Sequence, residues 1–142
     1  MLAEMLTNHI RIEESVPTWQ QAIRLAALPL LQNGFITENY IASMIENVEK
    51  LGPYIVIMPG FAMPHSKTED GVIRAGVSLL KLHKSVLFPE NNEVSLLMVL
   101  AADGADAHVD MLGDLLDVLT EGDALQRLFQ ANDESEILSC LK

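Results

Sequence analysis

Tyr54-Ile55-Val56-Ile57-Met58-Pro59-Gly60-Phe61-Ala62-Met63-Pro64-His65 is the stretch on which the fold turns. Its first five residues are aromatic, β-branched or otherwise apolar, with a polar residue on neither parity. That is the pattern of a strand covered on both faces. A central strand is therefore expected over 54–58. Downstream, 76–84 and 93–101 carry the same strand character, and 86–88 makes a shorter run closed by Pro89 and Asn91-Asn92. Upstream, Thr18 followed by Gln21 is a capping-box pattern. Trp19, Ala22, Ile23, Ala26 and Leu30 then recur at helical spacing until Asn33-Gly34, with Pro29 expected to bend the helix late. Thr37 is placed to cap a second helix bearing Tyr40, Ile41, Met44, Ile45 and Val48, which ends near Leu51-Gly52-Pro53. After 106 the helical period returns through Leu112, Leu115, Leu116 and Leu119, and 124–129 and 134–141 complete a helical C-terminus. Helices on either side of a buried sheet predict an α/β fold, a three-layer α/β/α sandwich with a mixed central sheet of about five strands.

The 142 residues match the usual size of one domain, with no repeat, low-complexity tract or linker, so a single domain over 1–142 is expected. An apolar content of 49% supplies a core without a metal or disulfide staple. One cysteine, Cys140, has no internal partner, and residues 1–10 contain Glu4 and lack the basic-then-apolar order of a secretory signal, so a reducing cytoplasm is the expected setting. The apolar run over 54–63 is broken by Pro59 and Gly60 and is far shorter than the roughly 20 residues of a membrane span. Nine Lys and Arg against 20 Asp and Glu give a net charge of -11, which disfavours nucleic acid and anionic lipid as partners. A small anion needs a local pocket of donors.

His65 lies where the apolar stretch gives way to Ser66-Lys67-Thr68-Glu69-Asp70-Gly71. Pro64 fixes its own φ and restrains Met63, so the backbone presenting His65 is stiff. The alternative is an ordinary loop histidine. Counting back from the leucine stripe places His108 on the inward face of the first turn of its helix, with Asp106 as a candidate N-cap. Free N–H groups at such a turn suit a phosphate. The alternative there is a core-edge histidine satisfied by a carbonyl. His9 and His83 lack such settings and read as surface residues. The chain has no Walker loop and no GxSxG elbow, and Cys140 sits in a helical tail. A metal set of His65, His108, Asp103 and Asp106 lacks HExxH or a Cys/His cluster, so no metal is expected. A histidine nucleophile is what remains.

These residues resemble the enzyme IIA domain of the mannitol-fructose class of the bacterial sugar phosphotransferase system. The resemblance runs from the Trp19-Gln20-Gln21-Ala22-Ile23 helix through 52–65 and Phe88-Pro89 to Ala101-Ala102-Asp103-Gly104-Ala105-Asp106-Ala107-His108. It implies that His65 is phosphorylated by the phosphocarrier HPr and passes the group to a cysteine of a cognate IIB domain, with a IIC component in the membrane. His108 would stabilise the phosphoryl group, and no cofactor is demanded. Ser66 and the first-turn groups at Asp106 and Ala107 would be further phosphate donors, and Phe61 and Met63 would face the partner. Gly52-Pro53-Tyr54 and the ending Ala62-Met63-Pro64-His65 are most similar to ascorbate-type and cryptic-mannitol-type members. Ascorbate uptake is the first expectation, with a mannitol or fructose type, or a regulatory module sensing phosphorylation, as alternatives. Mannitol-type members carry an arginine on the second helix. Here that helix reads Met44-Ile45-Glu46-Asn47, so the charge must be met otherwise.

Overall fold

The computed structural model describes residues 2–141. Thr18 caps the first long helix as its sequence predicts, its hydroxyl accepting from the Gln21 N–H at 3.2 Å. That helix, α2 (Trp19–Gln32), is preceded by a short α1 (Leu2–Leu6) and a strand β1 (Ile10–Glu13), and it continues unbroken through Pro29. Next come α3 (Glu38–Leu51), the short strands β2 (Val56–Met58) and β3 (Gly60–Ala62), and the long strands β4 (Gly76–Phe88) and β5 (Asn92–Ala101). The chain ends in α4 (Ala105–Thr120), α5 (Ala124–Gln130) and α6 (Glu134–Cys140). No helix of the described residues is long and apolar enough to cross a membrane.

The sheet has five strands in the order β1-β4-β5-β3-β2. It is mixed: β1 runs parallel to β4 and β3 parallel to β5, whereas β4–β5 and β3–β2 are antiparallel. The period of two along β5 sorts its side chains into two cores. Leu97, Val99 and Ala101 pack with Ala22, Ile23, Ala26, Tyr40, Ile41 and Met44 of α2 and α3. Leu96, Met98 and Leu100 pack with Leu115, Leu119, Leu128 and Ile137 of the C-terminal helices and with Leu2 and Leu6 of α1. Each of the valine, leucine, isoleucine and methionine side chains among them contributes about 1.5–3 kcal/mol by leaving water. These two apolar layers make the three-layer sandwich.

The sequence-based strand over 54–58 is corrected on two counts. Residues 54 and 55 form a turn, with Tyr54 N–H bonded to the Gly52 carbonyl and Val56 N–H to the Pro53 carbonyl. The remaining three residues are the edge strand β2, not a central one, and Ile57 is 37% exposed. The central strands are β4 and β5. The expected runs at 76–84 and 86–88 are one strand, irregular in register between Lys81 and Val86. His83 is exposed, as expected. His9 is not a surface residue: it is 6% exposed, because it enters β1 beneath the sheet end, where its ring nitrogen Nδ1 bonds the Val77 carbonyl at 3.1 Å and its ring meets Phe35 edge-on.

Candidate active site

The topology brings the C-terminal ends of β3 and β5 side by side. Met63 N–H donates to the Ile55 carbonyl at 2.8 Å and the Leu100 N–H donates to the Pro64 carbonyl at 3.0 Å, so the backbone is fixed on both sides just before His65. The His65 ring then turns back on its own strand, Nδ1 lying 2.8 Å from the Met63 carbonyl. A carbonyl only accepts, so Nδ1 carries the hydrogen and Nε2 carries the lone pair. The structure thereby sets which nitrogen is available as a nucleophile.

His108 comes from the first turn of α4 and meets His65 with ring centroids 4.8 Å apart and planes tilted by 46°. Two hydroxyl clamps hold the segments that carry the pair. Thr68 donates to the Ala102 carbonyl at 2.7 Å and accepts from the Gly104 N–H at 2.8 Å, tying the loop after His65 to the turn before α4. The Tyr40 hydroxyl donates to the Leu100 carbonyl at 2.6 Å and accepts from the Ser66 N–H at 3.0 Å. Burial and the nearby Asp70 charge raise the Tyr40 pKa to about 12 despite the Ser66 N–H, so this clamp stays protonated through the neutral range.

The rings open into a cleft of about 700 Å³ lined by Asn47, Tyr54, Ser66, Thr68 and Ala105 together with the exposed Leu51 and Val109. Lys67 is the one cation among the described residues that line it. Tyr54 stands edge-to-face on His65 at 5.6 Å between centroids. Burial is the main reason the His65 pKa lies below its ordinary value; the Met63 carbonyl opposes this, and repulsion from His108 adds to it.

Several sequence-predicted site residues stand elsewhere. Gly104, not Asp106, is the N-cap of α4; Asp106 and Ala107 fall at the second and third helical positions, within the same first turn, and the cleft is lined there by Gly104, Ala105 and His108. Ser66 lines the cleft but has no donor to spare: its hydroxyl bonds the Asp70 carboxylate and accepts from the Asn47 amide at 3.1 Å, while its N–H goes to Tyr40. It braces the site rather than offering a donor to phosphate. Phe61 and Met63 cannot face a partner, since both are fully buried in the core beneath α4–α6. Their place at the cleft is taken by Leu51, Tyr54 and Val109. Among the described residues no group of three or more His, Cys, Asp or Glu side chains gathers as a metal site would require. Tyr54, Asn47, Thr68 and Tyr40 carry no local motif in the roles seen here; strand pairing and loop closure bring them in.

An open mixed sheet covered by helices on both faces, with two imidazoles in contact at the end of β3 and β5, defines a phosphotransferase carrier domain. The chain belongs to the family described as phosphoenolpyruvate-dependent sugar phosphotransferase system, EIIA 2, whose model matches residues 5–142. It is 36% identical over 131 residues to the mannitol-specific cryptic phosphotransferase enzyme IIA component of Escherichia coli (strain K12), covering 92% of this chain and 89% of that one. It is 31% identical over 135 residues to the ascorbate-specific PTS system EIIA component of the same strain, covering 93% and 88%. A solved complex of enzyme IIAMTL and phosphorylated enzyme IIBMTL from Escherichia coli superposes with a TM-score of 0.80 at 25% identity, covering 94% of each chain. The chain is thus an EIIA component of a sugar phosphotransferase system.

Proposed function

We propose that His65 is the phosphoryl carrier of this EIIA component, accepting from phosphorylated HPr and delivering to a cysteine of a cognate IIB domain in the cytoplasm, while a IIC component handles the sugar in the membrane. The observation that carries this reading is the Nδ1 contact with the Met63 carbonyl, which leaves Nε2 unprotonated at a cleft shared with His108. In the transfer, the bond from phosphorus to the donor atom breaks with its electron pair staying on the donor. The Nε2 lone pair forms the new N–P bond, and no proton moves at His65. Positive charge then develops on the imidazole, where the Met63 carbonyl accepts a stronger hydrogen bond from Nδ1–H. The transition state is loose and its charge is spread over three oxygens, so positioning and fixed donors do the catalytic work. His108 is one such donor.

Leu51 and Val109, 71% and 66% exposed, flank this cleft with Tyr54 and form the apolar rim on which the donor and acceptor proteins dock. The transported substrate in this reading is ascorbate, on the resemblance of 52–54 and 62–65. Mannitol is the second reading, favoured by the 36% identity to the mannitol-specific cryptic component.

Charging by phosphorylated HPr across a pH series tests the proposal. Only neutral imidazole has a lone pair on Nε2. A His65 pKa held below the usual 6.5 keeps that form present to lower pH, so the acid limb of the charging rate should have its midpoint below 6.5. An acid-labile label that forms at neutral pH and passes to a IIB protein is expected. No label on the protein, or a midpoint above 6.5, contradicts the reading.

A further inference from the structure

Three side-chain hydroxyls line the cleft: those of Tyr54, Ser66 and Thr68. Two of them are engaged as donors within the protein, Ser66 to the Asp70 carboxylate and Thr68 to the Ala102 carbonyl at 2.7 Å. Tyr54 differs. The Asn47 side chain lies by its hydroxyl and pulls the Tyr54 pKa downward. The Asn47 amide nitrogen donates to Ser66 Oγ at 3.1 Å, which sets Asn47 between the residue next to His65 and Tyr54. No carboxylate or carbonyl among the described residues holds the Tyr54 hydroxyl as a donor, as Asp70 and Ala102 hold those of Ser66 and Thr68. The Tyr54 ring stands against His65 at 5.6 Å. Burial outweighs Asn47 and holds the Tyr54 pKa above its ordinary value, so the proton is present throughout the neutral range.

We propose that the Tyr54 hydroxyl, oriented by the Asn47 amide, is a catalytic donor to the oxygens of the phosphoryl group on His65. It supplies what Ser66 cannot, in a cleft where Lys67 is the one cation among the described lining residues. The proposal rests on His65 as the carrier. Asn47 is a positioning residue: it touches Tyr54 and Ser66, not the reacting atoms.

Tyr54→Phe keeps the ring and removes only the hydroxyl. In the full chain charged by phosphorylated HPr, it should slow transfer by about 30-fold, somewhat below the loss usual for a fully enclosed oxyanion donor. The ³¹P resonance of the phosphohistidine should also shift, while the label stays on His65. A slowing of less than about threefold, or an unshifted resonance, overturns the role of Tyr54. Asn47→Ala should raise the alkaline titration of Tyr54, followed by phenolate absorbance in a chain with only two tyrosines. An unmoved titration removes Asn47 from the proposal. If the unaltered protein takes no phosphate on His65, it is the carrier reading that fails, and this outcome is distinct from a Tyr54→Phe variant that behaves like the parent.

Discussion

His65→Ala is expected to abolish phosphoryl acceptance while leaving the fold intact. The fold should survive because the half-buried ring contributes one hydrogen bond, to the Met63 carbonyl at 2.8 Å, whose loss costs about 1 kcal/mol. Removal of a nucleophile has no such bound on its kinetic effect, and a loss of at least about 10³-fold in charging is expected. The other histidines do not replace it. His9 is buried with its ring held by Val77 and Phe35, and His83 is exposed on β4, away from the cleft. His108 is the informative competitor, because it shares the cleft. Residual label migrating to His108 at an undiminished rate would refute the assignment of roles. Charging measured by acid-labile label, with a thermal melt to verify folding, separates these outcomes.

The second large effect is expected at His108. Its ring meets His65 at 4.8 Å, close enough to reach a phosphoryl group held on Nε2. His108→Ala should still be charged but should pass its phosphate to a IIB protein about 10²-fold more slowly, the scale of losing one fixed donor to a developing anion. A second readout accompanies the first. In the uncharged protein, His108 adds to the lowering of the His65 pKa through like-charge repulsion. Without it the acid midpoint of charging should move up toward 6.5. Once phosphate is bound the sign of the interaction reverses, since a protonated His108 attracts the anion. Onward transfer at the parent rate, measured by rapid-quench chase into IIB, would remove His108 from the mechanism.

The helices and the paired histidines are legible in the sequence because they rest on local signals. Thr18 caps where its side chain can reach Gln21, and the leucine stripe of α4 places His108 on its inner side simply by helical geometry. The strand order is less legible. An apolar run such as 54–58 reads as central, yet here it supplies a turn and an edge, because apolarity does not say which neighbour covers a face; Tyr54 and Ile57 stay partly exposed. β1 is only four residues long, and its alternation in Ile10-Arg11-Ile12-Glu13 is too brief to stand out from a loop. Phe61 and Met63 precede a surface histidine and look surface-bound themselves. Parallel pairing of β3 with β5 draws the strand into the middle of the sandwich and buries both. The hydroxyl network was the least accessible part, since Tyr40, Asn47, Tyr54 and Thr68 meet only after the sheet and its loops have formed. The Ser66 hydroxyl is diverted by Asp70, four residues along the chain, where the 3₁₀ turn over Thr68–Asp70 folds back.

Phosphoryl transfer turns on one atom, Nε2 of His65. After charging by phosphorylated HPr, the nitrogen bearing the phosphoryl group can be identified by ¹⁵N–³¹P coupling in protein labelled at histidine. The geometry predicts coupling to Nε2 of His65, with Nδ1 still protonated on the Met63 carbonyl. Coupling to Nδ1 of His65, or to a nitrogen of any other histidine, would contradict it.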